Sequence, residues 1–161
     1  MTEAYESGLV GIFADLAEMF GNPRSYGQIY GLLFASETPL TMEEIARRLD
    51  ISQGSISQGL RQLEAFGAVV KERNNGSRQA LYTAKLEMKL LIAGFLKERV
   101  IPRLESTESR LEEIRRALDA ERSSLDETFL ETAKHRLGRV AKWHRSARTI
   151  LPIARKILGD G

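Results

Sequence analysis

The 161-residue chain contains no cysteine. That excludes a disulfide framework, a thiolate nucleophile and any cysteine-based zinc site. Histidine is nearly absent as well: His135 and His144 are the two in the chain, nine positions apart. Zinc pairs on a helix sit three or four apart, so this spacing does not build a metal centre. No apolar run approaches the roughly 20 residues of a membrane span. The opening MTEAYESG lacks the basic and apolar parts of a signal peptide. A cytoplasmic location without a membrane partner is therefore expected. No phosphate loop is present; Gly27-Gln28-Ile29-Tyr30-Gly31 reads as a helix-packing pattern and Glu112-Glu113 as a surface pair. These absences argue against an enzyme, and no cofactor or metal is expected.

Charge of one sign is also scarce. There are 24 Lys+Arg against 22 Asp+Glu, a net of +2. The distribution is uneven: residues 1–84 hold 7 basic and 10 acidic side chains, residues 85–161 hold 17 and 12. Any polyanion-binding surface in the first part must come from a few placed cations. Hydrophobic residues make up 42% and charged residues 29%, the balance of a helical globular chain.

What is present is concentrated in Leu40–Ala84. Thr41 followed by Glu44 forms a capping box for a helix Met42–Leu49, with Ile45, Ala46 and Leu49 as its buried stripe. Asp50 and Ile51 make a turn. Ser52 caps a second helix, Gln53–Phe66, and Ile51 and Ile56 are spaced as a hydrophobic staple across that cap. Ile56, Leu60 and Leu63 fall in one sector and face a core. The outer face then consists of Gln53, Gly54, Ser55, Ser57, Gln58, Arg61 and Gln62. Glutamine suits adenine, arginine suits guanine and serine suits either, so this face fits base edges. An ordinary polar helix surface is the competing reading. Gly67 ends the helix. Two strands, Ala68–Arg73 and Arg78–Thr83, then flank Asn74-Asn75-Gly76-Ser77, a hairpin turn. Lys71, Arg73 and Arg78, with Asn75, Gly76 and Ser77 between them, form a basic tip suited to phosphates or the minor groove. Arg47 and Arg48 stay on the wet side of the first helix and are further backbone candidates. The order of elements is that of a winged helix-turn-helix.

Two residue blocks carry a family resemblance. Arg24-Ser25-Tyr26-Gly27-Gln28-Ile29-Tyr30-Gly31-Leu32-Leu33-Phe34 is one. The other is Pro39-Leu40-Thr41, Glu44-Ile45-Ala46, Leu49, Ile51-Ser52, Gly54-Ser55-Ile56-Ser57 and Leu60-Arg61-Gln62-Leu63-Glu64. Both resemble the GbsR-like branch of the MarR-type bacterial transcription regulators over roughly Asn22–Ala84. Gln53 departs from the basic residue expected there, and the tip Asn74–Ser77 is less charged than the branch's loops. The resemblance implies a homodimeric repressor or activator, often responsive to a small-molecule effector.

Outside this stretch the chain reads as helical. Ala4–Phe20 carries Leu9, Ile12, Phe13, Leu16, Ala17 and Phe20 at helical spacing, and Gly21-Asn22-Pro23 stops it. Pro102 should kink or break the helical stretch from Lys85 near Val100. The last helix has two heptad rows: Leu130, Leu137, His144, Leu151 and Leu158, and Ala133, Val140, Ala147 and Ala154. Leu130, Leu137, Val140, His144, Ala147 and Leu151 are the expected dimer seam. Lys134–Lys156 has eight basic residues and no acidic one, read as a face paired with the acidic helix Glu105–Glu121. Trp143, Phe129, Tyr5, Phe13 and Phe95 could line an effector pocket, although core packing is the commoner role of such rings.

The expected fold is mainly α with a small β-hairpin: a winged helix-turn-helix at 25–84, an N-terminal helix at 1–24 and helical dimerisation elements at 85–161. The expected function is a sequence-specific transcriptional regulator, a homodimer on pseudo-palindromic double-stranded DNA. The alternative is a winged-helix module that binds protein without sequence-specific DNA contact.

Overall fold

The computed structural model describes residues 2–73 and 79–159, with the backbone alone at Arg73, Leu158 and Gly159. Seven helices and three strands follow in the order α1 Glu3–Met19, α2 Arg24–Ala35, β1 Leu40–Thr41, α3 Met42–Leu49, α4 Gln53–Ala65, β2 Val69–Arg73, β3 Ala80–Ala84, α5 Met88–Phe95, α6 Ile101–Ala120 and α7 Glu127–Gly159. A π-helical stretch, Leu96–Val100, precedes α6. It falls where Pro102, near the start of α6, removes a backbone donor and crowds the preceding turn. The chain divides into two compact units, residues 1–94 and 95–161.

The first unit is the winged helix. Its core is centred on Tyr30, Ile29, Leu32, Ile45, Ile56 and Leu60, all essentially without solvent contact. The helix α1 lies across α2 with its backbone almost touching. A Cβ at Gly27 would fall 2.0 Å from the Phe13 carbonyl oxygen, and one at Gly31 would fall 2.8 Å from the Val10 Cα. The four-residue spacing of these glycines is thus a crossing point. Beside it Phe13 meets Tyr30 edge-on at 4.8 Å, and Phe34 lies 5.2 Å from Phe13.

The Tyr30 hydroxyl donates to the Lys85 carbonyl at 2.7 Å, tying α2 to the chain leaving β3. Burial, with help from the Glu87 charge, pushes its pKa up to about 12 from 10.0. The folded protein therefore keeps a proton that the unfolded chain loses above pH 10. Stability supplied by this difference is present below pH 10 and lost as pH rises through about 12. Alkaline unfolding should be shifted to higher pH in Tyr30→Phe, which has no proton to lose; this is checked by circular dichroism across that window.

The sheet has three strands, not the two expected. Leu40 and Thr41 pair with Tyr82 and Leu81, giving the order β1-β3-β2. The hairpin register runs from Val69 opposite Ala84 to Arg73 opposite Ala80. The second unit contains α6 and α7 as an antiparallel pair. Asp126 caps α7 by accepting from the Phe129 N–H at 3.0 Å.

Candidate nucleic-acid interface

The helix-turn-helix is assembled by short-range chemistry. The capping box is complete: Thr41 N–H donates to Glu44 Oε2 at 2.8 Å and Glu44 N–H to Thr41 Oγ1 at 3.2 Å. The Thr41 N–H first, and then the Thr41 hydroxyl donating to the same oxygen at 2.9 Å, hold the Glu44 carboxyl below the usual carboxylate range. Asp50 takes a left-handed conformation, φ 53°, which reverses the chain in one residue. Ser52 then caps α4 through the Ser55 N–H at 3.3 Å, and its hydroxyl also donates to Ser55 Oγ at 3.0 Å. Ile56, next to this cap, is fully buried.

The far end of α4 is closed equally tightly. Gly67 has φ 71°; its N–H bonds Glu64 O, and the Ala68 N–H bonds Leu63 O. That is a Schellman motif, and its left-handed residue favours glycine. The chain is thereby aimed straight into β2.

Between these caps α4 buries Ile56, Gly59, Leu60 and Leu63. Gln53, Gly54, Ser55, Gln58 and Arg61 are exposed, while Ser57 and Gln62 are half-buried at the edges. A Cβ at Gly54 would meet nothing within 4 Å, so the start of α4 is open to close approach. The Arg61 guanidinium rests over its own helix, with Nε 3.5 Å from the Ser57 carbonyl. The predicted recognition face is therefore one surface, with two members less free than the sequence suggested.

Of the wing, Lys71 is exposed and sits over the Tyr82 ring at 5.8 Å, a cation–π contact that orients it. Asn75, Gly76, Ser77 and Arg78 lie outside the described residues, as does the Arg73 side chain. On α3, Arg47 is exposed, but Arg48 is bonded to Glu6 of α1. Nothing in the sequence announced that partner, which is 42 residues away. Tyr82 was missed too; its role depends on the hairpin register, which sets it opposite Lys71.

The six residues expected at a dimer seam differ in their exposure within one chain. Leu130 and His144 are buried, and Leu137, Ala147 and Leu151 half-buried. His144 Nε2 lies 2.6 Å from the Leu104 carbonyl; a carbonyl only accepts, so this nitrogen carries the proton. His144 thus packs against α6 of the same chain, and Leu137 lines a cleft against it. Val140 alone of the six is largely exposed, at 48%. Expected ion pairs with the acidic helix are present: Lys134 with Asp119 at 2.9 Å, and Arg148 with Glu108.

Among the described residues no cluster of three or more His, Asp or Glu could hold a metal ion. No described helix is long and apolar enough to cross a membrane. Phe13 belongs to the α1–α2 core, whereas Tyr5, Phe129 and Trp143 are exposed, so these rings do not form a cage within either unit. A cleft of about 220 Å³ between α6 and α7 is lined by Arg115, Leu118, Asp119, Lys134, Leu137 and Gly138. It contains no aromatic ring and is smaller than ordinary ligand pockets.

This geometry is that of a winged helix-turn-helix. The family model for the MarR family matches residues 23–80, from the entry to α2 to the start of β3. Among solved structures, one described as a transcriptional regulator is similar over 96% of this chain and 93% of its own, with 18% identity and a TM-score of 0.59. A MepR variant from S. aureus bound to an oligodeoxyribonucleotide is 21% identical over 88% of this chain and 97% of its own, with a TM-score of 0.43. BldR from Sulfolobus solfataricus is 21% identical over 69% and 88%, with a TM-score of 0.40. No curated protein matches the chain. The first of these likenesses is one of fold.

Proposed function

We propose that the protein is a transcription regulator that binds double-stranded DNA as a homodimer. In this reading α4 enters the major groove of each half-site, and the wing touches the flanking backbone. The observation that carries the reading is the exposed row Gly54, Gln58 and Arg61 on a helix capped at both ends and seated on a packed core. The residue blocks at Arg24–Phe34 and Pro39–Glu64 support placement in the GbsR-like branch. A small-molecule effector remains part of the family resemblance alone.

Dimerisation is supported by the outer face of α7. Val140, Trp143, Ile150, Ile153 and Ile157 are 48–73% exposed, and Trp143, Ile150 and Ile157 repeat every seven residues. Since His144 is occupied by α6 and Leu130 is buried within the chain, this exposed row is the better candidate interface. Ala147 and Leu151 border it.

Arg61→Ala tests the reading at the base-contact level. Specific binding should weaken by about 1–3 kcal/mol, with discrimination relaxed at one operator position. Equal weakening on random DNA would make Arg61 a phosphate contact. No effect on either would favour a protein-binding winged helix.

A further inference from the structure

In the first unit the acidic helix α1 already occupies two arginines. Arg24 bonds Asp15 and Glu18, each at 2.8 Å, with all three side chains about half exposed or more. Arg48 bonds Glu6, and here the side chains are only 28% and 23% exposed. This is the most enclosed ion pair among the described residues. It spans α1 and the first helix of the helix-turn-helix. At about 100° per residue, Arg48 lies roughly 60° from the buried Ile45, on the flank of α3. Arg47 lies about 160° from Ile45, straight outward, and is exposed.

In a helix-turn-helix the first helix crosses the DNA backbone, where cations on its outer side meet phosphates. We propose that Glu6 is a built-in competitor of DNA for Arg48. It holds the guanidinium against α1, so α3 supplies one phosphate-contacting arginine, Arg47, instead of two. The carboxylate acts twice: it neutralises Arg48, and it repels any phosphate that Arg48 would otherwise reach. Affinity for the backbone is thereby set below what the cations of the sequence would supply. That shifts the balance of binding toward base contacts from α4, in a unit that is already poor in positive charge. This inference rests on the DNA-binding reading above.

The salt dependence of binding separates a competitor from a mere brace between α1 and α3. Each phosphate neutralised contributes about −0.9 to the slope of log K against log salt. The full chain is titrated with a short random-sequence duplex across a salt series. Glu6→Gln should bind more tightly at low salt, with a slope steeper by about 0.9. Arg48→Gln should leave the natural slope unchanged, and the double variant should restore it. A slope shallower by about 0.9 in Arg48→Gln alone would overturn the proposal. So would an unchanged slope in Glu6→Gln. Helical content is checked by circular dichroism, and Glu6→Ala replaces Glu6→Gln should the latter fail to fold. Failure of both the natural chain and Glu6→Gln to bind any duplex would instead contradict the DNA-binding reading, and the competitor role with it.

Discussion

Ile150→Asp is expected to convert a dimer into a monomer. Ile150 is 61% exposed on α7, between Trp143 at 66% and Ile157 at 73%. Large apolar side chains aligned on one open face are unusual for a surface without a partner. In a two-fold dimer each substitution acts twice, so two carboxylates would be buried in one apolar seam. Sedimentation at micromolar concentration should show the natural chain as a dimer and the variant as a monomer. Operator affinity should fall by about 100-fold or more, because one chain then holds one half-site without its tethered partner. His144 should keep its packing against α6, so the variant should stay helical. A dimer that survives this change would return the interface to other elements.

Gly27→Ala is expected to damage the winged helix itself. The new methyl would meet the Phe13 carbonyl oxygen at 2.0 Å, its carbon at 2.4 Å and the Ala14 Cα at 2.7 Å. All three are backbone atoms, so relief requires α1 to move off α2. Such overpacking costs about 3 kcal/mol, the upper part of the usual range. In a unit of this size that corresponds to a drop of about 12–24 °C in Tm. Gly11→Ala is the control. A Cβ there meets nothing within 4 Å, so the better helix former should stabilise by up to about 1 kcal/mol. Opposite signs at two glycines only one of which is a crossing point would establish the α1–α2 packing. An unchanged Tm in Gly27→Ala would refute it.

The parts of the fold legible in the sequence are those governed by neighbours in the chain. Thr41 and Glu44 cap α3, and Met42–Leu49 is a helix with the boundaries read from its residues. Ser52, Gly67 and the inward row Ile56–Leu60–Leu63 behave in the same way, because caps and periodicity act within a few residues. What escaped depends on contacts between distant elements. A two-residue strand such as β1 has no periodicity to detect; it exists because β3 supplies its partner. A Cβ at Gly59 would meet Ile29 and Tyr26 of α2, a contact that spacing along α4 does not announce. The α7 heptads illustrate the same limit. Periodicity sets Leu130, Leu137 and His144 in one row, but only the position of α6 decides that His144 is covered within the chain. Glu6 and Arg48 could not be paired from spacing at all.

The exposed face of α4 was legible because amphipathicity sorts exposed from buried along the helix. Its finer state was not. That Arg61 rests over the Ser57 carbonyl, and that Lys71 sits over the Tyr82 ring, are properties of side-chain packing in the folded unit. In the function proposed above they would matter, since a cation held in one orientation loses less freedom when it meets its target.

The account's central claim is that α4 reads DNA sequence in the context of a two-fold dimer. Footprinting the natural chain on the DNA upstream of its own gene tests it most directly, alongside a random duplex at the same salt. One protected pseudo-palindrome is expected, with half-sites about one helical turn apart, two chains per site, and binding at least about 1,000-fold tighter than to random DNA. Equal affinity for both duplexes, or no protection at all, would contradict it.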